Sequence, residues 1–336
     1  MRLPDITNRT LLLRCILLIL ALLPLMPPVA LAETVRNDES AVSCELDLPL
    51  YEWSDPMIKP KAMVVAIHGM AMHGGSFDAL GKSLAAQGFF VVAPDLRGYG
   101  RCYRVSNRYP EKANLSYQKS FDDLVRLTEK LRSNHPDLPV FIIGESLGAA
   151  LALQLAGRRP DLISGLVLSS PAIKRRLIML PKTFLQAPVL VANPGRQLDL
   201  KPYIKYCASD DPRVVQEIMD DPLSRKTMST RELLASLAAM KATLPYIKEI
   251  PPSIPVLIIQ GSADRALKAN AVVILLSRLK STDQTVKWFP HRGHVLIETA
   301  FLRPPTLEVV EGWLLQHTRT FESAGQKVRE AISLDY

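Results

Sequence analysis

Three observations predict an α/β chain built on a mostly parallel sheet, with helices on both faces and a helical cap inserted in it. Past residue 60, short apolar runs alternate with amphipathic stretches, as in a sheet whose strands are joined by helical crossovers. The runs are apolar at consecutive positions (AMVVAI, VFII, VLII), which suits strands buried on both faces. One segment of about 75 residues, 174–250, breaks the rhythm and is too long for a connection. It reads as a cap over the sheet edge, with an independent second domain as the alternative.

In order, Ala62 to Ile67 is a strand ending in His68-Gly69, and Ser76 to Ala86 has helical spacing and stops at Gly88. Phe89 to Ala93 is the next strand, and Tyr117 to Arg132 is a helix with Phe121, Leu124, Val125 and Leu131 on its apolar side. Val140 to Ile143, Leu162 to Leu168, Val256 to Ile259 and Thr285 to Phe289 read as strands, and Leu147 to Ala156 as a helix. Inside the cap, Asp211 to Met219 and Thr230 to Ala242 have helical patterns. The organisation that follows is a leader at 1–32, a core in two parts at 33–173 and 251–317, the cap at 174–250, and a tail at 318–336 that reads as a peripheral helix.

The leader has an export pattern. Arg2, Arg9 and Arg14 precede the apolar stretch Cys15 to Leu23, and Ala30-Leu31-Ala32 stands before Glu33, a small-x-small cleavage site. An uncleaved anchor is the alternative, but Pro24, Pro27 and Pro28 would break a spanning helix. The expected destination is a periplasm or the exterior. Cys44, Cys102 and Cys207 remain after cleavage, enough for one disulfide at most or for none. Nothing clusters Cys and His at metal-ligand spacing. With 41 Lys+Arg against 33 Asp+Glu over 336 residues, the formal charge of +8 is spread along the chain. A nucleic-acid footprint is not expected, and a mild attraction to anionic membrane surfaces is.

The chemistry centres on Gly144-Glu145-Ser146-Leu147-Gly148. This G-x-S-x-G follows a strand directly and opens a helix, the setting of a nucleophile elbow, which lifts a serine hydroxyl above the sheet. A serine needs a base to take its proton and a third group to orient that base. Asp264, after the strand VLII, and His294, after TVKWF, complete the chain order Ser, acid, His. His291 is the competing base and Asp283 the next acid to test. The Leu147 amide, one past the nucleophile, is one oxyanion donor; the second is expected from the loop after AMVVAI, at Met70. His68 reads as a brace for that loop. Phe184, Leu185 and Leu190 make the first part of the cap unusually apolar beside Lys174, Arg175, Arg176 and Lys182. They are the candidate acyl-binding residues, with a plain cap core as the alternative.

Together with Asp95-Leu96-Arg97-Gly98-Tyr99-Gly100, Asp221-Pro222-Leu223, Gly261-Ser262-Ala263-Asp264 and Gly293-His294, these motifs resemble the α/β-hydrolase superfamily over about residues 45–317. Within it the likeness is to the monoacylglycerol lipase and lysophospholipase-like group, of the serine aminopeptidase S33 type. HGMAMHGG departs from the group's usual first motif. The resemblance implies an exported serine hydrolase that cleaves carboxylic esters of monoacyl lipids, monoacylglycerol or lysophospholipid, without metal or organic cofactor. A peptidase, thioesterase or carbon–carbon hydrolase on the same scaffold, or a non-catalytic binding protein, are the alternatives.

Overall fold

A computed structural model describes residues 34–104, 108–174, 193–268 and 270–334. The leader expected at residues 1–32 and the segment carrying Phe184, Leu185 and Leu190 lie outside the described residues. Ten strands are described: β1 (Val35–Asn37), β2 (Leu50–Ser54), β3 (Ala62–Ile67), β4 (Phe89–Pro94), β5 (Val140–Glu145), β6 (Gly165–Ser169), β7 (Gln197–Asp199), β8 (Thr227–Ser229), β9 (Val256–Gly261) and β10 (Gln284–Phe289). Eight of them form one sheet in the order β1-β2-β4-β3-β5-β6-β9-β10. From β4 to β10 every pairing is parallel, while β2 joins β4 and β1 joins β2 antiparallel.

The continuous apolar runs are explained by a core on each face. Met63, Val65 and Ile67 of β3 belong to one core cluster, with the helices Tyr117–Asn134 and Leu147–Arg158. Ala62, Val64 and Ala66 belong to the other, with the helix Asp78–Ala86 and with Val310, Trp313 and Leu314 of the last helix. Burying both faces of such strands is the main apolar gain of the fold, at roughly 25 cal/mol per Å².

Several boundaries differ from the sequence expectation. The predicted helix from Ser76 starts as a 3₁₀ turn, Gly74–Phe77, because the His73 ring accepts the Gly75 amide at 3.1 Å and caps it. The strand expected from Leu162 begins at Gly165, since Pro160 opens a 3₁₀ turn over Pro160–Leu162. β1, β2 and the helix Ala41–Leu46 were not foreseen. β2 is buried although it contains Glu52, whose carboxylate accepts the Ser40 hydroxyl. The helix Pro304–Leu334 runs unbroken through residue 317, so no chain break separates the expected core from the expected tail. Cys44 and Cys102 are free thiols, the first exposed and the second buried, and Cys207 is buried as well.

Between β6 and β9 the described part of the insertion holds the antiparallel pair β7–β8 and the helices Lys201–Cys207, Pro212–Asp220, Thr230–Ala242 and Leu244–Ile247. It packs on the Leu147–Arg158 helix, where Gln154 Nε2 donates to Ala239 O at 3.0 Å and to Thr243 Oγ1 at 2.9 Å.

Candidate active site

At the C-terminal end of β5 the chain turns sharply into the helix Leu147–Arg158, and Ser146 takes φ 55 and ψ −112. That conformation is strained for a residue with a side chain. It is fixed by Ser146 N donating to Ser169 O at 2.8 Å and Ala172 N donating to Ser146 O at 3.1 Å. The flanking glycines are steric necessities. A Cβ on Gly148 would meet Ile67 O at 1.9 Å, and one on Gly144 would meet Ala149 N at 2.6 Å. The helix N-terminus beneath Ser146 adds a partial positive charge to the site.

Ser146 Oγ lies 2.8 Å from His294 Nε2, and His294 Nδ1 lies 2.8 Å from Asp264 Oδ2. The three residues come from the ends of β5, β9 and β10, so the parallel sheet itself brings them together. Asp264 also accepts the Ala266 and Leu267 amides at 2.7 and 3.0 Å and the Gln260 amide group at 2.9 Å. Burial pushes its carboxyl up, but His294 and these donors outweigh it and leave the group at about 2. The carboxylate is therefore charged at neutral pH, and Nδ1 of the imidazole carries the proton it holds.

His291 lies elsewhere: its amide donates to Ser262 Oγ at 2.9 Å, and its side chain is exposed. Asp283 faces His317 Nε2 at 3.0 Å rather than His294. Gly293 owes its identity to close packing, since a Cβ there would meet Asp210 N at 2.6 Å.

The loop after β3 lies beside the elbow because Ile67 pairs with Gly144. His68 is fully buried: its Nδ1–H donates to Gly69 O at 2.8 Å and its Nε2 accepts the Leu96 amide at 3.0 Å. Burial lowers this imidazole to about 4, so it braces the loop as a neutral ring. Asp95 of the D-L-R-G-Y-G loop accepts the Gly74 amide at 2.8 Å and the Arg101 amide at 2.9 Å, and so ties that loop to the one after β3. Met70 borders a cavity that reaches Ser146 and His294. Its wall is mainly apolar, with Met72, Leu200, Tyr203, Ile204, Ile218 and Met240. Leu147 stands directly after Ser146 as the first residue of its helix. Among the described residues no group of three His, Cys, Asp or Glu side chains gathers to hold a metal.

Two sets of supporting residues were missed by sequence reasoning. Glu145, the variable residue of the elbow motif, is buried and accepts the Leu296 and Glu298 amides at 2.8 and 3.0 Å, bracing the segment that follows His294. A charged residue inside the apolar end of β5 was the available signal. The second set lies in the cap. Asp210 accepts the Gly293 amide at 2.7 Å, and Ala208 O accepts the Val295 amide at 2.8 Å. Arg225 N donates to Ala71 O at 2.8 Å, and His73 Nε2 donates to Asp221 Oδ2 at 2.7 Å. The Asp221-Pro222-Leu223 motif marked part of this clasp without saying what it touches.

The sheet order, the elbow and the helical cap define an α/β-hydrolase. The family described as serine aminopeptidase, S33 matches residues 58–299, and the chain belongs to that family. It is 27% identical to a monoglyceride lipase of Homo sapiens over 80% of this chain and 87% of that one. It is 26% identical to a monoacylglycerol lipase of Mycolicibacterium smegmatis, over 80% and 93%. The crystal structure of Paleococcus ferrophilus monoacylglycerol lipase is similar with a TM-score of 0.65 at 25% identity, over 80% of this chain and 99% of that one.

Proposed function

We propose that the protein is a serine hydrolase that cleaves the carboxylic ester of monoacyl lipids, monoacylglycerol first and lysophospholipid second, through an acyl-enzyme. The carrying observation is the Ser146–His294–Asp264 chain, two contacts of 2.8 Å, opening on an apolar cavity. His294 Nε2 takes the Ser146 proton as Oγ attacks the ester carbonyl, and Asp264 steadies the imidazolium. The amides of Leu147 and Met70 receive the oxyanion. Collapse of the tetrahedral intermediate breaks the ester C–O bond, and the imidazolium proton goes to the leaving alcohol. Water, deprotonated by His294, then releases the fatty acid and restores Ser146.

The names of the relatives support a monoacylglycerol, and the apolar cavity wall supports an acyl chain over a charged amino terminus. Each CH₂ buried there contributes roughly 0.8 kcal/mol. A substrate panel of monoacylglycerol, lysophospholipid, acyl thioester and aminoacyl amide tests the reading. Fastest turnover on monoacylglycerol, absent in Ser146→Ala, is expected; turnover confined to the amide contradicts it.

Export belongs to the same reading and rests on residues 1–32; the mature chain is then expected to begin at Glu33, as N-terminal sequencing of the exported protein would reveal. Contact with an anionic lipid surface rests on the basic residues from Lys174 to Lys182. Among the described residues no helix is long and apolar enough to cross a membrane.

A further inference from the structure

Glu298, four residues past His294, is 1% exposed, and its Oε1 accepts the Gly69 amide at 2.6 Å. This bond ties the His294 segment to the loop that carries Met70. A Cβ placed on Gly69 would lie 3.2 Å from Glu298 Oε2 and 3.4 Å from Ser146 Cβ, so the carboxyl sits beside the nucleophile.

A second buried carboxyl, Glu145, stands next to it. Glu145 accepts the Leu296 and Glu298 amides and the Ser169 hydroxyl. Among the described residues only the Gly69 amide donates to Glu298. Burial raises both carboxyls, but three donors act against it at Glu145 and one at Glu298, so Glu145 is the more readily ionised of the two. Burial first, and the charge of Glu145 second, hold the Glu298 carboxyl well above the usual carboxylate range.

The two peptides that flank the Gly69 Cα are then each held by one bond. Glu298 holds the Gly69 N–H, and His68 Nδ1–H holds the Gly69 carbonyl at 2.8 Å. In a trans peptide the N–H points opposite to the C=O, so a fixed Gly69 carbonyl aims the Met70 N–H the other way. We propose that Glu298 is a positioning residue that works as the uncharged acid: it anchors the oxyanion loop through Gly69 without placing a negative charge beside the oxyanion. The inference rests on the acyl-enzyme reading above.

Three proteins decide it: wild type, Glu298→Gln and Glu298→Met. Gln keeps a neutral acceptor for the Gly69 amide, whereas Met keeps the length and loses the acceptor. Glu298→Gln is expected to hold kcat within about threefold of wild type. Glu298→Met is expected to lower kcat about 30-fold with KM within about twofold, because a misaimed donor is lost only in the transition state. Its affinity for a trifluoromethyl ketone, which binds as an oxyanion, should fall by the same factor. If Gln is as impaired as Met is expected to be, the charge is needed and the proposal fails; if Met retains full kcat, the anchor is irrelevant and it also fails. Should Glu298→Met not fold by circular dichroism, the Gln variant still decides. Fluorophosphonate labelling of wild type separates the two levels. An unlabelled Ser146 overturns the acyl-enzyme reading along with this one, whereas a labelled Ser146 with an undiminished Met variant overturns the role of Glu298 alone.

Discussion

Ser146 and His294 meet at 2.8 Å but are held in place by different parts of the molecule. Ser146 is fixed by the sheet: its amide and carbonyl bond to Ser169 and Ala172, and Gly144 and Gly148 leave no room for any other path. The His294 segment is held from two sides. Glu145 takes its amides from the core, and Ala208 and Asp210 take the Val295 and Gly293 amides from the cap. The loop carrying Met70 is shared in the same way, between Glu298 and Asp95 on the core side and Asp221 and Arg225 on the cap side. The proposed nucleophile is thus a property of the core, whereas the proposed base and oxyanion loop also depend on the cap. Changes at the elbow should cost activity alone or the whole fold, and changes at the clasp should cost activity in graded steps.

The largest effect is expected from Ser146→Ala, which removes the nucleophile from a turn that tolerates the smaller side chain. Ester turnover should fall by about 10⁶-fold, with the melting temperature within about 2 °C of wild type. Asp264→Asn should cost about 10⁴-fold, because it favours the imidazole tautomer that cannot accept the Ser146 proton. Near-full activity in this variant would mean that the acid lies elsewhere.

Gly293→Ala sharpens the contrast between core and cap. Its Cβ would press on Asp210 N at 2.6 Å and part the His294 segment from the cap, while the elbow is untouched. A loss of about 10- to 100-fold in kcat, with about 1–3 kcal/mol of stability, is expected. A purely structural glycine would lower stability and leave kcat per folded molecule unchanged.

The effect that leaves turnover at neutral pH untouched is on stability against pH and belongs to His68, beneath the loop. Its folded pKa of about 4 lies below the unfolded value near 6.5. The unfolded chain therefore binds the proton first, and stability present above pH 6.5 is lost as pH falls towards 4. The loss amounts to about 3 kcal/mol. Unfolding free energies of wild type and His68→Gln, from denaturant titrations between pH 7 and 4, should converge by roughly that amount. Parallel curves would contradict the neutral, buried ring.

The difference between core and cap also accounts for how much was legible in the sequence. Strand runs, the elbow and the order Ser146, Asp264, His294 are local patterns, each written in a few consecutive residues, and the sheet then assembles them. β2 escaped because Glu52 interrupts its apolar pattern and is satisfied by Ser40, a partner twelve residues away. Glu298 and Asp210 escaped for a stronger reason. Their meaning lies in amides at Gly69 and Gly293, 229 and 83 residues distant, and a lone carboxylate carries no sign of the amide it will meet. Gly293 was visible as a motif, but its cause, the approach of Ser209 and Asp210, is a tertiary fact.

The acyl-enzyme at Ser146 is tested most directly by trapping it. The protein is mixed with p-nitrophenyl butyrate, quenched in acid within the first turnover, and mapped by peptide mass spectrometry. A burst of p-nitrophenol, with the butyryl mass on the peptide containing Ser146 and absent from Ser146→Ala, is the predicted result. Sustained turnover with no acyl adduct, or with the adduct on another residue, would contradict it.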